Sequence, residues 1–382
     1  MLGRLRGLHA RLVRGQGRLS SGAAAVDGEV AAGFKAVREA FARSFADGSE
    51  TGAAATAVVG GRLVCDLWGG DVGRDSLVHV YSVTKPLAAA CALWLVDRGA
   101  IALDAPLVEV WPEYSAGGKQ ATTLRHALSH QAGLLAWRDP QPLEALLDSE
   151  RGARLCAAEP PWWPPGTAHG EHALHYGTLI GEVVRRVDGR TLGALWRDEF
   201  AVPWGLDVHI GLPEALDARV APLTDPNGAW GREMLDGREE SYRLALDNPP
   251  ALRRLDVVNS AAWRRAEVPA VNAHATARSL ARFYAGLLRG GELDGVRVLR
   301  AETVAEMTTV QTSGPDRLLG EDVSWGLGVT FEDGGWGMGG VGGSIAWAEP
   351  GRDLAWAYAT TRMGGHDRAL AFEASVVSAL AG

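Results

Sequence analysis

Five large apolar residues near the start of the chain recur at helical spacing. They are separated by 4, 3, 4 and 4 positions, and a glycine, Gly48, comes shortly after the last of them. Residues three or four positions apart lie on one face of a helix, and glycine is common just beyond a helix end. The pattern predicts an amphipathic helix that buries Val30, Phe34, Val37, Phe41 and Phe45.

Two strand-like runs and a second helix follow. AAATAVVG and RLVCDLWGG are separated by Gly60-Gly61, and two apolar runs around a glycine pair predict a β-hairpin. The stretch YSVTKPLAAACALWLVDRG then begins at Tyr81. Its apolar run predicts a helix from about Val83 to Arg98, which the following glycine ends.

The rest of the chain divides into a helical middle and a strand-rich end. Between about Asp104 and Leu299, prolines, tryptophans and polar loops separate helical patterns, of which the clearest are LRHALSHQAGLL, HYGTLIGEVVRRVDG and ATARSLARFYAGLLRGG. SWGLGVTFE, GSIAWAEP and LAWAYATTRM then predict strands, and a helix is expected from about Arg368 to Leu380. Strands near both ends predict an α/β (α+β) fold, with an antiparallel sheet flanked by the terminal helices.

We therefore expect four regions: a basic tail (1–26), the first part of an α/β domain (27–103), a mainly helical domain (104–300) and the second part of the α/β domain (301–382). The tail carries five arginines and no acidic residue. This composition is typical of a disordered basic tail or of an amphipathic mitochondrial targeting peptide. We expect a cytoplasmic protein, or a mitochondrial one if the tail is a targeting peptide.

Composition narrows the classes of partner. The chain has 382 residues, 47% of them hydrophobic and 22% charged, which is typical of a globular protein. The formal net charge of −8 argues against nucleic acids and anionic membranes as partners, and the longest apolar run has ten residues, too few to span a bilayer. Three well-separated cysteines, Cys65, Cys91 and Cys156, predict no disulfide framework and fit a reducing compartment.

Ser82 and Lys85 stand three positions apart at the start of the second predicted helix, and therefore on one face of it. Ser82 is a candidate N-cap, and Pro86 fits the first turn because its missing N–H has no partner there. A lysine in apolar surroundings favours the neutral amine, which can take the serine proton and so allow an acyl-enzyme to form. The alternative interpretation is a serine N-cap beside a solvated lysine.

Longer segments around this pair resemble the superfamily of serine β-lactamases, penicillin-binding proteins and family VIII esterases. YSVTKPLAAACALWLVDRGAIALDAPLVEVWPEY resembles its nucleophile helix and the turn that follows, and S-x-x-K is a signature of these enzymes. Three further segments are similar to later parts of the superfamily pattern: LRHALSHQAGL, PPGTAHGEHALHYGTLIGEVVRRVDGRTL and GMGGVGGSIAWAEP. The resemblance runs from about residue 30 to the end of the chain.

The resemblance implies a serine β-lactamase-like fold and acyl-enzyme chemistry. It makes Ser82 the nucleophile and Lys85 the base or its electrostatic partner. It also implies an oxyanion hole made by the backbone N–H groups of Ser82 and Val341. Glycines around Val341, including Gly340, let a substrate approach the strand backbone closely.

The second motif departs from the superfamily pattern. Its proton-relaying tyrosine is expected at position 171, counted from the Pro-Gly-Thr at 165–167, and this chain has Glu171. A carboxylate beside Lys85 favours the ammonium and raises the pKa of the lysine, which makes Lys85 a worse base because less of it is present as the free amine. Three interpretations stay open: Glu171 moves the proton directly or through water, Tyr176 reaches in from one and a half turns away, or the site is catalytically degenerate.

The third motif departs as well. Met338 stands where the superfamily usually has Lys, His or Trp. In β-lactamases and penicillin-binding proteins that residue helps to bind a substrate carboxylate, which Met338 cannot do. A neutral ester, amide or thioester is therefore favoured over a β-lactam. Tryptophans, Trp325 among them, indicate either core packing or an aromatic wall around an apolar acyl or leaving group.

Two other patterns do not carry a site. The G-x-G-x-x-G over residues 337–342 is followed by the strand-like SIAWAEP, so it lacks the βαβ context of a dinucleotide site. His169, His172 and His175 do not have the H-E-x-x-H spacing of a zinc site. We therefore expect no cofactor and no metal.

The sequence as a whole predicts a serine-dependent acyl hydrolase, esterase-like, that acts on a small-molecule acyl substrate. Two alternatives stay open: a transacylase that passes the acyl group to an amine or alcohol, and a catalytically degenerate binding protein with the same fold. The sequence leaves the oligomeric state undetermined.

Overall fold

The computed structural model describes residues 26–381. The basic tail predicted over residues 1–26 lies outside this range apart from its last residue, and so does Gly382. The strands, numbered along the chain, are β1 (Val26–Val30), β2 (Gly52–Val59), β3 (Arg62–Gly70), β4 (Leu77–His79), β5 (Val208–His209), β6 (Val220–Ala221), β7 (His274–Ala275), β8 (Glu292–Leu293), β9 (Val296–Arg297), β10 (Thr312–Pro315), β11 (Asp322–Trp325), β12 (Thr330–Glu332), β13 (Gly335–Gly339), β14 (Ile345–Glu349) and β15 (Leu354–Thr360).

The helices concentrate in the middle of the chain. The α-helices are α1 (Lys35–Ala46), α2 (Lys85–Asp97), α3 (Leu124–Leu128), α4 (Glu144–Leu147), α5 (Ser149–Ala158), α6 (His175–Asp188), α7 (Leu192–Trp196), α8 (Val202–Trp204), α9 (Trp230–Glu233), α10 (Glu240–Asp247), α11 (Leu255–Val258), α12 (Ala261–Arg265), α13 (Ala277–Leu288), α14 (Ala301–Met307) and α15 (Asp367–Ala381). Shorter 3₁₀ turns include Tyr81–Thr84, immediately before α2. Over residues 26–381, no helix combines the length and the apolar character needed to cross a membrane.

Both ends of the described chain build one antiparallel sheet. Its strand order is β1-β3-β2-β15-β14-β13-β12-β11-β10, so three strands from the start meet six from the end. A smaller sheet, in the order β5-β7-β4-β6, lies within the helical region and joins the segment before Ser82 to the segment before α13. The predicted fold class is confirmed, whereas the division into four regions stays a prediction.

The large sheet is covered on both faces, and its side chains alternate accordingly. On one face, Tyr358 and Trp356 meet Phe41 of α1 and Phe372 of α15. The alternate positions of β14 and β15 face α13 and are small, which lets that helix approach the sheet closely: Ala346, Ala348, Ala355, Ala357 and Ala359.

Helix α2 is enclosed on every side. Every residue from Leu87 to Leu95 is less than one-tenth exposed, as expected for a helix that is apolar all round. Helices α6 and α7 pack against it, and the turn before it touches β13. The start of α2, with Ser82 and Lys85, therefore lies where the sheet meets the helical region.

Three local features differ from the predicted elements. Val30 belongs to β1, where it pairs with Cys65, and α1 begins later, at Lys35. The glycine-rich GWGMG forms β13, which the pattern did not predict. Because the Tyr81–Thr84 turn is 3₁₀, α2 starts at Lys85 and Ser82 is not its N-cap.

Candidate active site

Ser82 and Lys85 are in direct contact. The 3₁₀ turn that holds Ser82 has three residues per turn, so the side chains at positions i and i+3 are aligned. The Lys85 Nζ lies 2.8 Å from the Ser82 Oγ, and Ser82 is 6% exposed. The two residues therefore form a serine–amine pair that is almost closed to bulk water.

The turn that carries Ser82 is held in an unusual backbone conformation. Tyr81 has a φ of +46°, a left-handed value that is uncommon for a residue with a side chain. The Tyr81 hydroxyl donates to the Leu252 carbonyl at 3.1 Å, and the Thr84 hydroxyl donates to the Tyr81 carbonyl at 2.6 Å. Thr84 in turn accepts the Ala273 N–H at 2.9 Å. These bonds support the strained turn, which presents Ser82 beside the sheet.

Lys85 is completely buried and surrounded by acceptors. Its Nζ lies 3.1 Å from the Ala173 carbonyl, 3.4 Å from the Ala270 carbonyl and 3.1 Å from the Glu171 Oε1. Burial lowers the pKa of the Lys85 amine, and the Glu171 carboxylate opposes this effect without cancelling it. The environment therefore favours the neutral amine more than water does, while the carboxylate stabilises the ammonium that forms on proton uptake.

Glu171 is held by backbone hydrogen bonds on both sides of it. The Gly170 N–H donates to the His130 carbonyl at 3.1 Å, and the His172 N–H donates to the His130 Nδ1 at 3.0 Å. The Glu171 N–H donates to the Asp316 Oδ1 at 3.2 Å. His130 has a φ of +61°, another left-handed conformation near the site.

The hydrogen bonds around His130 and His172 fix their tautomers. The His172 Nε2 accepts the Leu134 N–H at 3.0 Å, so the His172 proton is on Nδ1, 3.3 Å from the His130 Nδ1. The His130 Nδ1 accepts, so the His130 proton is on Nε2. Burial lowers the pKa of both rings, that of His172 to about 3. Both rings are therefore neutral structural groups behind Glu171.

Tyr176, the other candidate for proton transfer, points elsewhere. Its hydroxyl lies 3.5 Å from the Leu128 carbonyl, and burial raises its pKa. A Cβ added at Gly328 would lie 2.6 Å from this hydroxyl, so the group is tightly enclosed. Within the described chain its recorded hydrogen bond goes to Leu128, whereas Glu171 reaches Lys85 directly.

The end of β13 lies against the turn that carries Ser82. A Cβ on Gly340 would be 2.3 Å from the Val80 carbonyl oxygen and 3.2 Å from the Tyr81 Cβ, so only glycine allows this approach. Val341 follows directly and is partly exposed. This placement supports the proposal that the N–H groups of Ser82 and Val341 face one substrate oxygen.

Met338 and Trp325 lie in a small apolar cluster with Val323 and Leu319. Met338 is 1% exposed and Trp325 is fully buried. The Trp325 Nε1–H donates to the Asp316 Oδ2 at 2.9 Å. Both side chains are closed to solvent in this structure, and their substrate-binding role stays a prediction.

Sequence reasoning did not identify several residues around the site. Asp316 was missed, and so was Leu252. Tyr242 on α10 was missed too: burial raises the pKa of its hydroxyl, and the Glu171 carboxylate adds to the rise. A Pro-Asp pair at 315–316 signals a turn, but no local pattern connects that turn to Glu171.

Residues 26–381 contain no group of three or more His, Cys, Asp or Glu side chains arranged to hold a metal ion. His169, one of the three histidines in the second-motif segment, is instead bound to β10. Its Nδ1 lies 2.9 Å from the Thr312 hydroxyl, and its Nε2 lies 3.1 Å from the Gly314 carbonyl.

This chain is similar to known proteins over most of its length. The family model described as Beta-lactamase matches residues 37–379. The esterase/β-lactamase LipL of Mycobacterium tuberculosis (strain ATCC 25618 / H37Rv) is 34% identical over 353 residues, which cover 86% of this chain and 81% of LipL. 

Two solved structures are similar over almost the whole chain. A family VIII carboxylesterase superposes with a TM-score of 0.86 at 33% identity and covers 93% of this chain and 100% of its own. A penicillin-binding protein homologue from Caulobacter crescentus superposes with a TM-score of 0.85 at 35% identity and the same coverage. The chain thus belongs to the β-lactamase family and is a serine hydrolase of the esterase-like kind.

Proposed function

We propose that this chain hydrolyses neutral carboxylic esters through an acyl-enzyme on Ser82, with Lys85 as the base and Glu171 stabilising the ammonium that forms on it. One observation carries the proposal: the Lys85 Nζ lies between the Ser82 Oγ, at 2.8 Å, and the Glu171 Oε1, at 3.1 Å. The base is thus in contact with both the nucleophile and a supporting carboxylate, as in other triads that activate a serine.

In acylation, the Ser82 Oγ bonds to the ester carbonyl carbon while its proton passes to the neutral Lys85 amine. The carbonyl electrons move onto the oxygen, which the N–H groups of Ser82 and Val341 stabilise. When the tetrahedral intermediate collapses, the bond to the alkoxy oxygen breaks. That oxygen takes the proton from Lys85 and leaves as the alcohol.

Deacylation repeats these steps with water as the nucleophile. Water gives one proton to the Lys85 amine as its oxygen bonds to the acyl carbon. Collapse breaks the bond to the Ser82 Oγ, which takes the proton back, and a carboxylic acid leaves. In both acylation and deacylation, the negative charge of Glu171 stabilises Lys85 each time it becomes an ammonium.

We base the neutral charge of the substrate on Met338, which stands where the superfamily usually has Lys, His or Trp. A buried thioether beside Val323 and Trp325 offers no positive charge to a substrate carboxylate. The name of LipL includes both esterase and β-lactamase, and the similar family VIII structure is a carboxylesterase. Of the two activities in the name of LipL, the lack of a positive charge at position 338 favours the esterase activity over the β-lactamase activity.

The test compares two p-nitrophenyl esters of equal chain length, one neutral and one ending in a carboxylate. We expect the parent to hydrolyse the neutral ester with a kcat/KM at least about tenfold higher, equivalent to about 1.4 kcal/mol. Ser82→Ala should abolish turnover. No turnover by the parent, turnover that persists in Ser82→Ala, or preference for the anionic ester would contradict the proposal. Products formed with an added alcohol separate hydrolysis from acyl transfer.

A further inference from the structure

Asp316 is a buried carboxylate that gathers four N–H groups. It is 1% exposed and lies directly after β10. Its Oδ1 accepts the N–H groups of Leu318 at 2.8 Å, Leu319 at 2.9 Å and Glu171 at 3.2 Å. Its Oδ2 accepts the Trp325 Nε1–H at 2.9 Å. A buried carboxylate requires such compensation, because burying its charge without partners is costly.

Three of these four bonds belong to the local hairpin. The bonds to Leu318 and Leu319 close a turn in which an Asp side chain accepts from the backbone two residues ahead, and Trp325 lies on the partner strand β11. A hairpin of this kind is complete without Glu171. The bond to Glu171 is the exception, since it reaches across 145 positions of the chain to the second-motif segment.

That fourth bond fixes the residue whose side chain meets the catalytic amine. The Glu171 N–H is bound to Asp316, and the Glu171 carboxylate lies 3.1 Å from the Lys85 Nζ. The neighbouring Arg317 N–H also donates to the His169 carbonyl at 3.0 Å, so the turn holds the segment at two points. The Glu171 side chain is 9% exposed, so it is not fully closed to solvent.

We propose that Asp316 is a positioning residue: through the backbone of Glu171 it holds the Glu171 carboxylate against Lys85. This inference rests on the proposed function for its catalytic meaning, but the geometry it asserts does not depend on activity. If Asp316 releases the Glu171 N–H, the carboxylate turns toward solvent and Lys85 loses its counter-ion.

The consequence for Lys85 has a definite sign. Burial lowers the pKa of Lys85 and Glu171 raises it, so withdrawal of Glu171 lowers the pKa further. The other titratable rings coupled to Lys85, His130 and His172, are buried and neutral, since their own pKa values are lowered. A fall in the Lys85 pKa is therefore the sign that the Glu171 carboxylate has moved away from the amine.

The chain makes this pKa directly measurable. It contains three lysines, Lys35, Lys85 and Lys119, so protein labelled with ¹³C-lysine gives three ε-carbon signals. Lys35→Arg and Lys85→Arg assign them. The titration is run on the parent, Asp316→Ala, Glu171→Gln and the double variant. Asp322→Ala, which removes an exposed carboxylate from the same hairpin, is the matched control.

We expect Asp316→Ala and Glu171→Gln each to lower the Lys85 pKa, and the double variant to match Glu171→Gln alone. Asp322→Ala should match the parent. For esters, kcat should show the same non-additivity: Asp316→Ala slows the parent but not Glu171→Gln. A merely structural role of Asp316 would instead lower activity equally in both backgrounds.

Further variants guard against misfolding and direct charge effects. Asp316→Ser keeps a hydroxyl for the local turn but is too short to reach Glu171, and it replaces Asp316→Ala if that variant does not fold. Asp316→Asn loses the acceptor of the Trp325 Nε1–H but keeps an oxygen for the Glu171 N–H, so its Lys85 pKa should stay near that of the parent. An unchanged Lys85 pKa in Asp316→Ala or Asp316→Ser, or an equal fall in the Glu171→Gln background, would overturn the proposal. The titration needs no turnover, so it tests the positioning role of Asp316 even if the proposed function is wrong.

Discussion

The Glu171 Oε1 and the Lys85 Nζ lie 3.1 Å apart, beside the hydroxyl of Ser82. A carboxylate at this place changes the character of the lysine. Without it, burial alone sets the pKa of Lys85, and the amine is a weak acceptor of the serine proton. With it, the ammonium produced by proton transfer has a counter-ion at contact distance, and the pKa returns part of the way toward its ordinary value.

Replacing Glu171 with Gln should slow acylation and change its pH dependence. The amide cannot stabilise the Lys85 ammonium, so kcat/KM for a neutral ester should fall about 30-fold, equivalent to about 2 kcal/mol. The rate rises with pH as Lys85 loses its proton. Because the variant has a lower Lys85 pKa, this rise should occur at lower pH than in the parent.

Stopped-flow rates across the pH range measure both effects. Glu306→Gln, which breaks a half-buried ion pair with Arg125, is the control and should leave the profile unchanged. A Glu171→Gln profile that coincides with that of the parent would exclude the carboxylate from proton transfer.

Removing the Tyr176 hydroxyl should have little effect on catalysis. This hydroxyl lies 3.5 Å from the Leu128 carbonyl, and this contact involves none of the three residues Ser82, Lys85 and Glu171. Tyr176→Phe should keep kcat/KM within about threefold of the parent. Its free energy of unfolding should fall by about 1 kcal/mol at most. Ester assays and urea unfolding test both expectations, and a loss of kcat as large as that of Glu171→Gln would reassign the proton-handling role to Tyr176.

The elements that could be predicted from the sequence are those whose pattern is local in the chain. The α1 face, the Gly60-Gly61 hairpin and the apolar α2 were predictable because their patterns lie within a few turns of chain. Strand β13 was not, because its glycines have low strand propensity. They are explained by Trp347 on the neighbouring strand: a Cβ on Gly335 would lie 2.3 Å from its Nε1.

The site shows the same division. Ser82 and Lys85 are three residues apart, and their contact could be predicted from helical geometry. Glu171 could be identified only by counting from the Pro-Gly-Thr at 165–167 to the position where the superfamily has its tyrosine. Asp316 and the carbonyl of Ala270 could not be found, since each meets the site across more than 140 positions of chain and no local pattern encodes that meeting.

Adding one methyl group to Gly340 should damage the oxyanion hole. Its Cβ would lie 2.3 Å from the Val80 carbonyl oxygen, so the end of β13 must move away from Ser82. We expect Gly340→Ala to lower kcat by about 100-fold, the size of effect that a displacement of about 1 Å produces. KM should change less.

Gly351→Ala is the matched control, because nothing lies within 4 Å of a Cβ at that position. It should behave as the parent. An unchanged kcat in Gly340→Ala would show that the approach of β13 to Ser82 is not needed for catalysis.

Acid should unfold this protein steeply, because five buried histidines are neutral in the fold: His79, His130, His172, His175 and His274. Burial lowers all five pKa values, to about 3 for His172 and His274 and about 4 for His175, whereas the unfolded chain has ordinary values near 6.5. Below pH 6.5 the unfolded state binds more protons than the native state, so stability falls as pH falls.

Well below pH 6.5, the slope from each such histidine approaches its limit of about 1.4 kcal/mol per pH unit. Urea unfolding curves recorded from pH 7.5 to pH 5, at steps of about half a pH unit, measure the summed effect of the five histidines. We expect the free energy of unfolding to fall by several kcal/mol over this range. A flat profile between pH 7 and pH 5 would contradict the neutral, buried state of these rings.

The central claim is that Ser82 is a nucleophile activated by Lys85, and intact-mass spectrometry after exposure to a fluorophosphonate tests it most directly. We expect the parent to gain the mass of one phosphonyl group, with peptide mapping placing it on Ser82. Ser82→Ala should gain nothing, and Lys85→Ala should be labelled far more slowly. A parent that stays unlabelled while correctly folded, or a label found on another residue, would contradict the account.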